Sequence, residues 1–263
     1  MISMDSRCVI FAGGLGTRMQ EETDTKPKPM VLVDGEPMLI WVIRNYARAG
    51  VSRFVILLGY KGGVVDDYFR SLGLVEYSRD YEIHGKSHYT IVDRGRTLEI
   101  TLLNTGLDTP TGGRLLQARN YVGEMPFFCS YGDALSDINI SNQWKFYVSK
   151  KMPFLVSVAQ QRSRFGEVVY DNGSKIMKEF YEKPLMANMV NIGYFIFRDS
   201  IFDLCKSELM MEQVVLSRMS QDSTCVVFEH LGYWQPIDSL RDLNIVKEQS
   251  SQGLRQWDVA GTE

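Results

Sequence analysis

Residues 7–14, Arg-Cys-Val-Ile-Phe-Ala-Gly-Gly, set a short β-branched apolar run directly against glycines. A strand apolar at every position is buried on both faces, as in a parallel sheet covered by helices, and not half-solvated as in an antiparallel one. The residues that follow repeat the pattern. Pro37 to Arg44 begins a helix, with proline near its first turn and Gly50 past its end. Phe54 to Leu58 is a second buried strand, and Val64 to Leu72 a second helix. Alternating strands and helices predict an α/β fold with a mixed, mostly parallel central sheet flanked by helices.

Residues 75–97 break the rhythm and read as an excursion of loop and β-ribbon, a possible contact surface. Leu98 to Asn104 returns to the sheet, Gly112 to Tyr121 is a helix, and Pro126 to Tyr131 is a core strand ending at Gly132-Asp133. After a helix around Asn142 to Lys150 the chain is richer in strands, and residues 239–263 form a C-terminal helix and tail. With no repeat, low-complexity tract or Pro/Ser-rich linker, the expectation is a single domain over residues 1–263.

The net charge of -3 excludes a basic field for nucleic acid or an anionic membrane, so any polyanion is held by a local cluster. No run of about 18 apolar residues can span a membrane. The cysteines at 8, 129, 205 and 225 form neither a CxxC pair nor a zinc pattern. Reduced thiols and an amino terminus without a basic leader predict a cytoplasmic location.

Ala12-Gly13-Gly14-Leu15-Gly16-Thr17-Arg18 follows the first strand. Glycines let backbone N–H groups crowd an anion, Thr17 adds a hydroxyl, and Arg18 offers a planar fork to phosphate oxygens. A Walker loop fails, because Gly-Thr-Arg replaces Gly-Lys-Ser/Thr. A dinucleotide fingerprint fails too: Met19 replaces its third glycine, and Lys26-Pro27-Lys28-Pro29 destroys the crossover helix. The prolines present Lys28 stiffly as a second anion ligand.

Asp133 stands at the carboxyl end of a core strand, where open α/β sheets place ligand-binding groups. It suits Mg2+ ligation or a helix cap, as does Asp238 in Trp234-Gln235-Pro236-Ile237-Asp238, while Asp137 reads as the cap of the next helix. Thr109 and Thr111-Gly112-Gly113-Arg114 make a second anion loop, Lys183 is fixed before Pro184, and Asn191 opens an apolar strand with an amide suited to hydroxyls.

In order along the chain, Gly13-Gly14-Leu15-Gly16-Thr17-Arg18, Glu21-Glu22-Thr23 and Lys26-Pro27-Lys28-Pro29-Met30 resemble the sugar-phosphate nucleotidyltransferases, in particular their glucose-1-phosphate cytidylyltransferase branch. Gly59-Tyr60-Lys61-Gly62, Tyr131-Gly132-Asp133, Arg164-Phe165-Gly166 and Glu182-Lys183-Pro184 extend the resemblance. It implies a Rossmann-like nucleotidyltransferase fold and the reaction of CTP with a sugar 1-phosphate to give a CDP-sugar and pyrophosphate. By the family pattern, Ala12 to Arg18, Lys28, Thr109, Arg114 and Gly132 surround the nucleotide, and Asp133 and Asp238 bind Mg2+. Lys183, Asn191 and Ile192 face the acceptor, and Arg18, Lys28, Asp133 and Lys183 carry the catalysis. The resemblance also implies a homo-oligomer and a role in surface glycan synthesis. Ile192 stands where the family usually has glycine, which keeps open a phosphorylated acceptor other than glucose 1-phosphate. A silent regulatory relative would have lost such arginines, lysines and acids, and here all are present.

Overall fold

In this computed structural model the described residues are 2, 5–14, 16–72, 78–80 and 85–258, with residues 17 and 78–80 described as backbone. Parts of the 75–97 excursion and of the tail, and Leu15 of the glycine loop, lie outside them. In chain order the strands are β1 (Arg7–Ala12), β2 (Leu32–Val33), β3 (Glu36–Pro37), β4 (Arg53–Leu58), β5 (Ser78–Asp80), β6 (Lys86–Asp93), β7 (Arg96–Asn104) and β8 (Phe127–Tyr131). They continue as β9 (Ala134–Ser136), β10 (Phe154–Arg162), β11 (Glu167–Tyr170), β12 (Met177–Tyr181), β13 (Leu185–Phe197), β14 (Cys225–Glu229) and β15 (Trp234–Pro236).

Among the described residues the main sheet has the order β14-β10-β13-β8-β1-β4-β7-β6-β5. β1 pairs in parallel with both β4 and β8, and β4 with β7. The pairings reverse only β13 and β6 against the rest, so the mostly parallel sheet is present. Its position at the centre explains the unbroken apolar sequence of β1. Cys8, Ile10 and Ala12 face one core, with the helices Met38–Arg48, Gly62–Ser71 and Ile140–Lys150. Val9 and Phe11 face the other, with Thr111–Gln117, Arg119–Val122 and Ser217–Gln221. On the first face Tyr46 stacks on Tyr194 at 5.7 Å and tilts against Phe128 at 5.4 Å.

A third, smaller core positions the candidate site. Met19, Val31, Val33, Trp41, Leu135, Ile237, Leu243, Val246 and Trp257 pack together, joining the segment after the glycine loop to β9, β15 and the helix Leu240–Ser251. β15 pairs antiparallel with β9, and the Ile237 N–H donates to the Asp133 carbonyl at 3.2 Å. Two acids distant in sequence are thereby set side by side.

Several expectations change. The helix read over 112–121 is two short ones, Thr111–Gln117 and Arg119–Val122. Asn139, not Asp137, caps the helix Ile140–Lys150, accepting from the Asn142 N–H at 2.9 Å. Asp137 instead lies 3.1 Å from His230 Nε2, and its neighbour Ser136 contacts the same ring. Asp238 is not a cap either, since Ser239 holds that position for Leu240–Ser251. β11 and β12 pair with each other as a separate ribbon.

Ile237 is fully buried, so Ile237→Ala leaves a cavity in the small core and costs about 2–4 kcal/mol. Chemical denaturation measures it; a loss under about 1 kcal/mol would mean the cluster does not pack as described.

Candidate active site

The glycine loop leaves β1 at the carboxyl end of the parallel strands and is held by groups that the sequence does not flag as structural. Gly16 adopts φ 63°, a left-handed conformation that suits glycine. The buried Thr23 hydroxyl contacts the carbonyls of Gly16 at 3.2 Å and Met19 at 3.0 Å. The Tyr60 hydroxyl donates to the Thr23 carbonyl at 3.2 Å, and the Lys61 ammonium to that of Asp24. Glu-Glu-Thr and Gly-Tyr-Lys-Gly, quoted as family motifs, are thus the loop's buttress.

Arg114 supports the loop from below. Its guanidinium is buried and donates to the carbonyls of Leu58 (2.8 Å), Gly13 (3.2 Å) and Leu107 (3.0 Å), and to the Thr105 hydroxyl (2.5 Å). It lies in a slot between Gly13 and Gly59, where a Cβ would fall 2.4 Å and 2.6 Å from Nη1. Burial lowers its pKa, with Asp108 acting in the opposite direction. Arg114 also lines the cavity, and the donors named here go to the protein's own oxygens. Gly112 and Gly113 are likewise packing glycines, because a Cβ on either would meet the Leu209 or Ser207 carbonyl at 2.5 or 2.3 Å.

Above the loop is a cavity of about 680 Å3, lined by Ala12, Gly13, Gly14, Gly16, Arg18, Lys28, Thr109, Arg114, Tyr131, Asp133 and Asp238. Just past β8, the Gly132 N–H donates to the Phe11 carbonyl at 3.0 Å, and a Cβ there would lie 2.9 Å from the same oxygen. Thr109 donates to the Thr105 carbonyl at 2.6 Å. Tyr131 donates to Glu212, which also accepts from Thr111 at 2.7 Å. Sequence reading assigned no role to Glu212, and nothing in its surroundings along the chain marks it.

Lys28 is the centre of the site. Its ammonium donates to Asp133 Oδ2 at 2.8 Å and Asp238 Oδ1 at 2.6 Å, and its side chain is 12% exposed. Arg18, 74% exposed at the mouth, lies 3.7 Å from Asp238 Oδ2. Burial acts to lower the Lys28 pKa, but the two carboxylates hold it above the ordinary lysine value. Burial acts to raise that of Asp238, yet Lys28, with Arg18 and Arg164, holds it below the usual carboxylate range.

The acids also fit a hard divalent cation. Both are oxygen donors, both are about one-third exposed, and they converge on one point at the cavity. Among the described residues no cluster of three or more His, Cys, Asp or Glu could hold a metal, so further ligands would be phosphate oxygens and water.

A second cavity of about 510 Å3 shares Arg18, Tyr131, Asp133 and Asp238 with the first. Ala134, Gln161, Arg164, Val190, Asn191, Ile192, Trp234 and Pro236 complete it. The Asn191 carboxamide accepts from the Gly193 N–H at 2.9 Å, forming a turn at the β13 irregularity, where Gly193 has φ 79° beneath the Tyr131 ring. Ile192 is 1% exposed, part of the core and of this wall at once. Lys183 lines neither cavity; it sits on the turn after β12, 3.1 Å from Glu182. Arg164 lines the wall of the second cavity. The Arg-Phe-Gly motif pointed to this segment without giving it a role.

The Nucleotidyl transferase family model matches residues 7–251. This chain belongs to that family. It is therefore a nucleotidyltransferase. It is 32% identical over 255 residues to a probable glucose-1-phosphate cytidylyltransferase of Bacillus subtilis, covering 96% of this chain and 99% of that one. To the glucose-1-phosphate cytidylyltransferase of Salmonella typhi it is 34% identical, covering 95% and 98%. In fold it is similar to HddC from Yersinia pseudotuberculosis, with TM-score 0.66 and 21% identity over 93% of this chain and 99% of that one.

The Lys28–Asp238 contact has a defined pH window. Asp238, lowered when folded, contributes stability above its unfolded pKa of about 4, and loses it as pH falls through the folded value. Lys28, raised when folded, contributes below about pH 10.4 and loses it as pH rises through its folded value. The ligand-free melting temperature of Asp238→Asn should lie below wild type at pH 7 and approach it in acid. A constant gap down to pH 3 would contradict the pairing.

Proposed function

We propose that the chain is a cytidylyltransferase that joins CTP and a sugar 1-phosphate, glucose 1-phosphate or a close relative, into a CDP-sugar and pyrophosphate. The observation that carries this reading is the pair of cavities meeting at Arg18, Tyr131, Asp133 and Asp238. One is floored by a glycine loop and the other is not, as needed for a triphosphate facing a second phosphorylated substrate. The named function of the two relatives at 32% and 34% identity supports cytosine as the base and glucose 1-phosphate as the acceptor.

The chemistry needs little from the protein beyond placement. An acceptor phosphate is already anionic at pH 7, so in-line attack on the α-phosphorus requires neither a side-chain nucleophile nor a general base. The backbone at Gly13, Gly14 and Gly16 faces the triphosphate, with Leu15 and Thr17 in the same loop. Arg18 and the third N–H of Lys28 neutralise the departing pyrophosphate. Thr109, Gly132 and the scaffold held by Arg114 surround the nucleoside. Asp133 and Asp238 would hold Mg2+, which supplies charge neutralisation at the phosphates when bound. Asn191, Ile192 and Arg164 face the acceptor, with Lys183 on the adjoining turn.

The reading extends to a single nucleotidyltransferase domain acting in the cytoplasm as a homo-oligomer, its product feeding surface glycan synthesis. The four cysteines are free, and no helix among the described residues is long and apolar enough to cross a membrane.

Pyrophosphate release with Mg2+ across a panel of nucleoside triphosphates and phosphorylated acceptors tests the assignment. CTP with glucose 1-phosphate should turn over fastest, and Asp133→Asn or Asp238→Asn should each lose on the order of 10^2–10^3-fold in kcat. Preference for another triphosphate would overturn the base assignment. Preference for another acceptor would turn attention to Ile192.

Arg164→Gln should raise KM for the acceptor about tenfold or more, the worth of one charge-assisted hydrogen bond, and leave KM for CTP unchanged. If Lys183→Gln does this and Arg164→Gln does not, the acceptor phosphate belongs to Lys183.

A further inference from the structure

Thr111-Gly112-Gly113-Arg114 reads as an anion loop, yet the chain's own groups fill it. The segment 206–212 packs against the first turn of the helix Thr111–Gln117. There the Gly112 N–H donates to the Leu209 carbonyl at 3.2 Å, and a Cβ on Gly112 would lie 2.7 Å from the Lys206 carbonyl oxygen. Thr111 closes the contact: its hydroxyl accepts from the Met211 N–H at 2.8 Å and donates to Glu212 Oε2 at 2.7 Å.

The other carboxylate oxygen, Oε1, accepts from the Tyr131 hydroxyl. Tyr131 is the rigid end of this bridge. Its ring stands edge-on to Phe195 at 5.6 Å and tilted to Phe11 at 6.0 Å. Gly193 lies so close beneath the ring that a Cβ would fall 2.3 Å from Cδ2. Burial and the adjacent carboxylate both push the Tyr131 pKa up, so its hydroxyl stays a donor throughout the neutral range. On the opposite side Met211, Val215 and Met219 are buried with Val9 and Phe11, and Glu212 opens a π-helical turn, Glu212–Leu216, a rare geometry that is frequent at functional sites.

We propose that Glu212 is a positioning residue of the nucleotide side: its carboxylate, held between Tyr131 and Thr111, sets where Thr111 and Met210 stand as a wall of the glycine-loop cavity. This deepens the reading above and rests on its placing of the nucleotide in that cavity, not on the identity of base or acceptor. Glu212 lines neither cavity, whereas Thr111 and Met210 line the first and Tyr131 lines both. It therefore acts through the two hydroxyls. Hydrogen bonds to a carboxylate are short and directional, so they fix a wall that apolar contact alone would leave to slide. Met210 needs such an anchor, being an unbranched side chain that is 41% exposed at the cavity. The acceptor cavity meets this bridge only at the Tyr131 ring, which packing holds in place, so the effect falls on one substrate.

Steady-state kinetics with the triphosphate that the wild type prefers, each substrate varied in turn, test the proposal. Glu212→Ala should raise KM for the triphosphate about tenfold or more, as for a lost charge-assisted hydrogen bond, and leave KM for the acceptor within about twofold. Glu212→Gln keeps both contacts, its carboxamide oxygen accepting from one hydroxyl and its amide donating to the other, and should stay within about threefold of wild type. Tyr131→Phe keeps the ring and removes the donor. It should raise the same KM, and combined with Glu212→Ala it should do no more than Glu212→Ala alone. An unchanged triphosphate KM in Glu212→Ala would overturn the proposal, whatever its melting temperature. So would two KM values that rise together, or effects that multiply in the double variant. Should Glu212→Ala not fold, Tyr131→Phe decides by the same two KM values. A wild type that prefers a triphosphate other than CTP would overturn the base assignment alone, because the split between the two KM values is read with the preferred one.

Discussion

One ammonium holds together parts of the chain 105 and 210 residues apart. Lys28 follows the glycine loop, Asp133 lies just past the end of β8, and Asp238 follows β15 near the C-terminal helix. Two carboxylates brought this close repel unless a cation stands between them, and burial alone would lower the pKa of the lysine that they hold up. Each group needs the other two. The β9–β15 pairing and the small core around Ile237 bring the acids together, and the lysine makes their meeting tolerable. The two cavities join where this triad sits, so the contact that closes the fold also defines where phosphates would gather.

Much of this was legible in the sequence. β1 and β4 were, because burial on both faces leaves no polar position to confuse the period. Asp133 and Asp238 were marked by their places after strands. Arg114 and the glycines near it were only half legible. A Gly-Gly-Arg at a helix start has the composition of an anion pocket, but here Gly13 and Gly59 make room for a guanidinium facing carbonyl oxygens. Composition cannot tell a glycine that admits a ligand from one that admits a neighbouring side chain. The difference lies in a contact 101 residues away, between Arg114 and Gly13.

The ribbon was legible as strands and not in its placement. Val168 to Tyr170 and Met177 to Tyr181 have the β-branched and aromatic content of core strands, and alternation alone would bury one face in the sheet. Their exposure follows from topology: β13 pairs with both β10 and β8, leaving no place for them beside it. The caps show the same limit at shorter range. Asp137 and Asn139 both suit a helix start, and Asn139 prevails because its side chain meets the Asn142 N–H while Asp137 turns to His230.

The two cavities differ in how they are built. Around the glycine loop the walls are backbone held by buried hydrogen bonds, and at Gly13 and Gly59 an added Cβ would fall within 3 Å of the Arg114 guanidinium, so few residues can change without displacing the loop. Across the junction, Gln161, Arg164 and Asn191 are side chains on strands that run into the ribbon, and changing them leaves the carbonyl network around Arg114 intact. Ile192 lies between these regimes, sealed in the core yet forming part of the wall. A larger or smaller residue there changes the wall of the second cavity and the packing of the core behind it together. The loop side is therefore constrained by backbone contacts and the second cavity by side chains, and at Ile192 any change in the cavity wall is also a change in the core.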